Sequence, residues 1–337
     1  HDAEAGAVMR RPRVSVVVPA FQSATRIGAT LARLRAQTCT DFEVIVVNDG
    51  STDETSAAVR CAMANDSRIR LVEQSNSGIA AARNRGVEDA WSDVLAFLDD
   101  DDLWHPRKLE LQLAQLDRTS DAAVVSCYSA LVDADGRLLG WRIGGTPEGD
   151  VYREMLEWDM VSGGSVALVA RGAFEATGGF DASLPDRADW DLWIRLARRY
   201  SFTCVPRTLV GYTRRAGSVS QRYDRMLACG REVLAKARRD DPRIGDSDHT
   251  AFLARDLFGA ACFCLADERH AMALRYLAHA LRSSPRMILG RPRRWGIIAM
   301  TGLAATLPAW LYRQAALAPI SRAAFRLRVG ARFDSLV

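Results

Sequence analysis

The sequence predicts an α/β chain with a doubly wound, mainly parallel sheet, followed by an α-helical region. Three observations carry that prediction. Short runs dominated by β-branched and other apolar residues recur through the first 125 residues. Segments with apolar residues at helical spacing separate them. Clusters of Asn and Asp close two of the runs. Continuous apolar runs mark strands buried on both faces, and regular strand–helix alternation marks a parallel sheet.

The elements follow in order. Val14 to Val18 reads as a buried strand ending at Pro19. Ala24 to Gln37 is helical, with Ile27, Leu31 and Leu34 on one face. Phe42 to Val47 is a second strand, closed by Asn48-Asp49-Gly50. Thr52 to Ala64 is a helix that Ser51 or Asp53 is placed to cap. Ile69 to Val72 is a third strand, and Gly78 to Ala90 an alanine-rich helix. Val94 to Leu98 is a fourth strand, running into Asp99-Asp100-Asp101-Asp102. Pro106 opens a helix over Arg107 to Leu116, where proline is tolerated. Ala123 to Ser126 is a fifth strand, and residues 128–215 are mixed and punctuated by Gly-Gly turns. Beyond Tyr223 the chain turns helical. Ala251 to Leu265 and Glu268 to Arg282 resemble one helical hairpin of the tetratricopeptide kind, and a single unit is a packed appendage rather than a solenoid.

Composition bounds the class. The 337 residues suffice for about two domains, with 48% hydrophobic and 26% charged residues. Disorder and low-complexity architecture are excluded. The net charge is +4, but from Arg282 onward ten Arg face one acidic residue, so the body is acidic and the tail basic. Such a tail suits an anionic partner. Seven cysteines without framework spacing read as free thiols of a reducing, cytoplasmic compartment. His1 to Val8 resembles a tag remnant, with Met9 a candidate native start.

Four features carry chemistry. The first is the run Asp99 to Asp102. Adjacent carboxylates repel, and in an extended segment Asp99 and Asp101, or Asp100 and Asp102, point the same way and can grip one cation. Oxygen-only ligands suit Mg²⁺ or Mn²⁺, whose shell is completed by water and phosphates. The plainer alternative is a solvated turn capping the helix at Pro106. The second is Asp49, ending a buried strand beside the crevice where ligands bind in such sheets. It is a ligand contact or a turn residue. The third is Asn76 to Gly86, whose small residues let a helix approach the sheet or a ligand closely. Arg83, one turn in, reaches a nucleotide or a surface carboxylate. The fourth is Ala188-Asp189-Trp190-Asp191, where Asp189 is an N-cap or a general base stabilised as an anion by the helix dipole.

Together, Val14 to Phe21, Asn48 to Asp53, Asn76 to Gly86, Phe97 to Trp104, Gly178-Gly179-Phe180-Asp181 and Asp189 to Trp193 are far more specific than any one alone. In this order and spacing they resemble the family 2 inverting glycosyltransferases of GT-A fold, over roughly residues 12–215. The resemblance implies that Pro19, Ala20 and Phe21 line the base pocket and that Asp49 reads the base. It implies that Arg83 lies near the nucleotide and that the D-x-D motif falls on Asp99 and Asp101. Asp101 is then a metal ligand together with Asp99, while Asp99 and Asp100 face ribose and diphosphate. Asp189 falls where the family places its catalytic base. Two positions depart: Ala188 stands where a Glu often precedes that base, and Asn48 where many members have Asp. The implied reaction is a metal-assisted single displacement from a nucleoside diphosphate sugar, UDP first, with dTDP and GDP open. A catalytically silent GT-A scaffold that binds nucleotide or glycan is the alternative. A nucleotidyltransferase would need a Gly-rich phosphate loop that Val14 to Gln22 lacks.

The expected organisation is an N-terminal extension over 1–11, the GT-A domain over 12–220, a helical appendage over 221–290 and a basic tail over 291–337. Trp295 to Tyr312 is an uncharged stretch of 18 residues flanked by Arg and aromatic residues. It reads as interfacial or re-entrant helices, a buried helix or a span. A membrane-facing tail suits a lipid-linked saccharide acceptor at the cytoplasmic face of the inner membrane. No nucleic-acid module accompanies the arginines. A homo-oligomer stays open.

Overall fold

The structure is a computed structural model that describes residues 11–119, 121–133, 135–213, 223–266, 269–290 and 332–333. The chain alternates at first: β1 (Val14–Ala20), α1 (Ile27–Arg35), β2 (Phe42–Asp49), α2 (Thr55–Met63), β3 (Ile69–Gln74), α3 (Ile79–Glu88) and β4 (Val94–Phe97). There follow β5 (Leu103–Trp104), α4 (Lys108–Arg118), β6 (Ala122–Val132), β7 (Leu138–Ile143), α5 (Tyr152–Glu157), β8 (Leu168–Ala170), α6 (Arg171–Ala176), α7 (Ala188–Ala197) and β9 (Ser201–Thr213). The helical region is α8 (Tyr223–Asp240), α9 (Asp246–Ala266), α10 (His270–Ser283) and α11 (Pro285–Leu289).

Among the described residues, the nine strands join one sheet of order β3-β2-β1-β4-β8-β6-β9-β5, with β7 on β6. The first four strands pair in parallel, as their unbroken apolar runs predict. Beyond β4 the sheet is mixed: β8 runs antiparallel to both β4 and β6, and β5 antiparallel to β9, while β6 and β9 are parallel. A fully buried apolar run reads alike in either direction, so this reversal is invisible to periodicity.

The order 3-2-1-4 sets the site. The chain leaves β1 towards β2 and β3, then crosses back to lay β4 on the other side of β1. The connections part at the carboxyl ends of β1 and β4 and open a crevice there. Helix α3 lies close over the sheet, because Gly86 has no side chain. A Cβ there would stand 2.4 Å from Val17 Cγ1. The small-residue face predicted for this helix is therefore a packing face.

The main core joins the sheet to its helices and reaches Val233, Leu234 and Phe252 of α8 and α9. A second core, with Leu227, Phe258, Leu265 and Leu277, holds α8, α9 and α10 together. All seven cysteines are free, as predicted. Among the described residues no helix is long and apolar enough to cross a membrane. Trp295 to Tyr312 and the tail arginines other than Arg282, Arg286 and Arg332 lie outside the described residues.

Candidate active site

The crevice is framed by laced turns. Pro19 and Ala20 are buried at the end of β1, whereas Phe21 is 47% exposed at its lip. Gln22 N–H donates to Ser51 Oγ, Ser23 N–H to Thr55 Oγ1 and Ala24 N–H to Asp53 Oδ2. The loop after β1 is thereby tied to the loop after β2. Asp53 also accepts Thr55 N–H in the turn before α2, but the N-cap of α2 is Glu54, with no side-chain cap hydrogen bond, rather than the Ser51 or Asp53 expected.

Asp49 ends β2 and is buried. Its Oδ1 accepts Gln74 Nε2–H and Ser77 N–H, and its Oδ2 accepts Gly78 N–H. The carboxylate thus sits at the N-terminus of α3, where the helix dipole favours an anion. It organises the 74–78 segment beside the crevice.

The four aspartates do not form the extended segment that would align alternate carboxylates. Asp102 N–H donates to Asp99 O at 3.1 Å, closing a turn. The side chains then diverge. Asp99 accepts Arg83, and Asp100 pairs with Arg26 at 2.8 Å. Asp102 is buried and accepts Ser165 Oγ–H and Thr213 N–H. Asp102 therefore ties the turn to the loop before β8 and to the end of β9 rather than capping α4. Burial pushes the Asp100 carboxyl up to about 6, with Arg26 pulling the other way. Burial, reinforced by Asp101 and Asp99, holds Asp102 well above the carboxylate range.

Arg83 is the hub. It is only 4% exposed, its Nη2 lies 2.5 Å from Asp99 Oδ1, and its guanidinium lies over the Phe180 ring at 5.1 Å. Burial opposes its charge, but Asp99 and then Asp189 outweigh that cost and hold the guanidinium protonated. Gly164 has no side chain because Arg83 fills the space: a Cβ there would stand 2.7 Å from Nη2. Phe180 is held in place by a reciprocal pair with Asn84, whose amide donates to Phe180 O and accepts Phe180 N–H. The surface salt bridge considered for Arg83 is thus excluded.

Asp189 lies in the first turn of α7, half-buried, with Oδ1 accepting Trp190 N–H. Asp159, which sequence reasoning missed, is buried within reach of its charge. Burial first, then the negative charge of Asp189, pushes the Asp159 carboxyl up to about 7. Asp159 also accepts Val161 and Ser162 N–H and shapes the loop carrying Gly163 and Gly164. Arg26 and Ser165 were missed as well. A lone Arg, Ser or Asp in a loop carries no periodic signal.

Asp99 and Asp101 both bring carboxylate oxygens to the turn beside Arg83. Among the described residues no three His, Cys, Asp or Glu gather around one point. Such a donor set fits a hard divalent cation that takes most of its shell from phosphate and water.

Residues 15–176 match the model of glycosyl transferase family 2. The chain is 30% identical over 198 residues to a chondroitin synthase of Escherichia coli, covering 58% of this chain and 28% of that protein. It is likewise 30% identical over 209 residues to a hyaluronan synthase of Pasteurella multocida, covering 60% of this chain and 21% of that protein. The chain thus spans less than a third of the length of these relatives. Among solved structures, a mannosyltransferase of Pyrobaculum calidifontis in complex with GDP-Man and Mn²⁺ superposes with TM-score 0.59 at 23% identity, covering 93% of this chain and 87% of that one. Residues 1–349 of S. aureus TarS in complex with UDP-GlcNAc superpose with TM-score 0.60 at 18% identity, covering 92% and 88%. The fold is GT-A, and the part of the chain that matches glycosyl transferase family 2 is its α/β domain, over residues 15–176.

Proposed function

We propose that the chain is an inverting glycosyltransferase. It moves a sugar from a nucleoside diphosphate donor to a hydroxyl of a saccharide or lipid-linked saccharide. The observation that carries this reading is Arg83, a buried cation paired with Asp99 at the switch point of the sheet and within the field of Asp189. A buried cation there suits a diphosphate, and a carboxylate nearby suits an acceptor hydroxyl. The named relatives and neighbours, which include synthases of two polysaccharides and proteins bound to GDP-Man and UDP-GlcNAc, are consistent with it.

In this reading Pro19, Ala20 and Phe21 hold the base, and Asp49 reads its edge. Asp99 and Asp100 orient ribose and diphosphate. Asp101, with Asp99, holds Mg²⁺ or Mn²⁺, which supplies positive charge to the departing diphosphate. The acceptor oxygen attacks the anomeric carbon while Asp189 takes its proton. The bond from that carbon to the diphosphate oxygen breaks, and the electron pair leaves with the diphosphate. A single displacement inverts the anomeric configuration and needs no covalent intermediate. Residues 291–337 are proposed as a peripheral membrane contact.

The test is calorimetric titration of UDP, dTDP and GDP, with and without Mn²⁺, on wild type and Asp101→Asn. One nucleotide is expected to bind in a metal-dependent way, and Asp101→Asn to weaken it. No binding of any nucleotide by folded protein overturns the donor site and leaves the silent scaffold.

A further inference from the structure

The helical region grips the segment that carries Asp189 at three points. Asp186, buried just before it, pairs with Arg225 of α8 at 2.6 Å. Asp191, buried just after it, pairs with Arg195 at 2.7 Å and with Lys236 of α8 at 3.1 Å. Lys236 also bridges to Asp181 at 2.6 Å, and that bond holds the Asp181 carboxyl down at about 2.

The third grip is the most demanding. Arg187 stands immediately before α7 with φ +61°, a left-handed conformation that a side-chain-bearing residue adopts at a cost. Its Nη1 donates to Asp256 Oδ1 of α9 at 2.6 Å, with both side chains largely buried. Its guanidinium also lies 5.1 Å from the Trp190 ring centroid. Helix α8 passes directly over this pair at Gly230. A Cβ there would stand 2.5 Å from Asp256 Oδ2 and 2.9 Å from Arg187 Nη1. The fold thus spends a strained backbone, a buried ion pair and a bare glycine two residues from Asp189.

We infer that Arg187, held by Asp256, is a positioning residue that fixes the first turn of α7 and so aims the Asp189 carboxylate into the crevice. The helical region is then part of the catalytic apparatus rather than an appendage. This rests on the reading of Asp189 as the base. A displacement of about 1 Å at such a group costs about a hundredfold in rate, so a distant ion pair can matter to turnover without touching substrate.

The test compares Arg187→Gly, Asp256→Ala, their double variant and Arg187→Lys, with Asp189→Asn as reference. Glycine at 187 keeps the left-handed backbone and removes only the side chain. Diphosphate release from UDP-, dTDP- and GDP-sugars with Mn²⁺ gives kcat and donor KM, and calorimetry gives the diphosphate Kd. Arg187→Gly and Asp256→Ala are each expected to lower kcat by about tenfold or more, with donor KM and Kd unchanged. The double variant is expected to be no worse than the singles, since the two act as one unit. Arg187→Lys, which keeps the ion pair, is expected to regain most of the rate. A second readout needs no turnover: amide exchange of Trp190 to Trp193 should rise about tenfold in Asp256→Ala and stay unchanged in β1 and β4. If Asp256→Ala does not fold, Asp256→Asn takes its place.

Wild-type kcat and wild-type exchange in the folded pair variants overturn the inference. If Asp189→Asn loses turnover while they do not, the inference fails and the base reading stands. If Asp189→Asn keeps turnover, the base reading fails, and the exchange readout alone decides whether the pair fixes the turn.

Discussion

Arg83 and Asp99 meet 2.5 Å apart, sixteen residues apart in sequence, with the guanidinium buried over Phe180 and the carboxylate at the mouth of the crevice. The pair joins α3 to the turn after β4 across the switch point of the sheet. Removing one partner of such a pair leaves the other charge stranded. Arg83→Met is expected to lower unfolding free energy by about 2–3 kcal/mol, less than for a fully buried pair because Asp99 keeps some solvent. It should also abolish diphosphate binding. Urea unfolding and calorimetry on the same preparation check both. An unchanged midpoint with unchanged binding would remove Arg83 from its central place.

Asp189→Asn keeps the shape of the side chain and the hydrogen bond from Trp190 N–H while removing the proton acceptor. Turnover is expected to fall by about 10²–10⁴-fold, the usual contribution of a general base. The diphosphate Kd should stay within error. A parallel fall in binding would mean that Asp189 serves the donor rather than the acceptor.

Gly86 is where α3 touches β1 and β2 through Val17 and Val47. An added methyl group has nowhere to go against packed strands. Gly86→Ala is expected to cost about 1–3 kcal/mol through forced shifts, although alanine favours helix. The melting temperature reads this directly, and because the displaced helix carries Arg83, nucleotide affinity should fall with it.

Lys108 is fully buried beneath the Trp104 ring, with Nζ donating to Gln112 Oε1. Burial lowers its ammonium to about 8. Below that pH the folded state carries the whole cost of a buried charge. Between about 8 and 10.5 the unfolded state holds more protons, so stability rises with pH across that window. Lys108→Met is expected to gain about 2 kcal/mol at pH 7, the burial cost less one lost hydrogen bond, and to flatten the slope. Urea midpoints at pH 7 and 9.5 test it. A loss of stability at pH 7 would show that the ring and amide contacts outweigh the burial cost.

Much of this was legible in the residues themselves. Strand and helix order through β4 and the crevice at the strand ends follow from local periodicity and turn chemistry. Those forces act over a few residues, so sequence displays them. Asp49, Arg83, Asp99 and Asp189, by contrast, stand out only through the resemblance of their motifs to a family, and the short strand β5 was missed. What only the tertiary structure decided are the meetings between distant segments. Strand β8 inserts antiparallel between β4 and β6 and brings Ser165 onto Asp102, 63 residues away. Asp159 is buried within the field of Asp189, and Arg26 takes Asp100. Helix α9 reaches back 69 residues to hold Arg187. The run of four aspartates looked uniform in sequence, yet each carboxylate that the turn directs to a partner meets a different one. A side chain's partner is set by sheet order and helix placement, which minimise free energy over the whole chain and leave no mark on any short stretch of it.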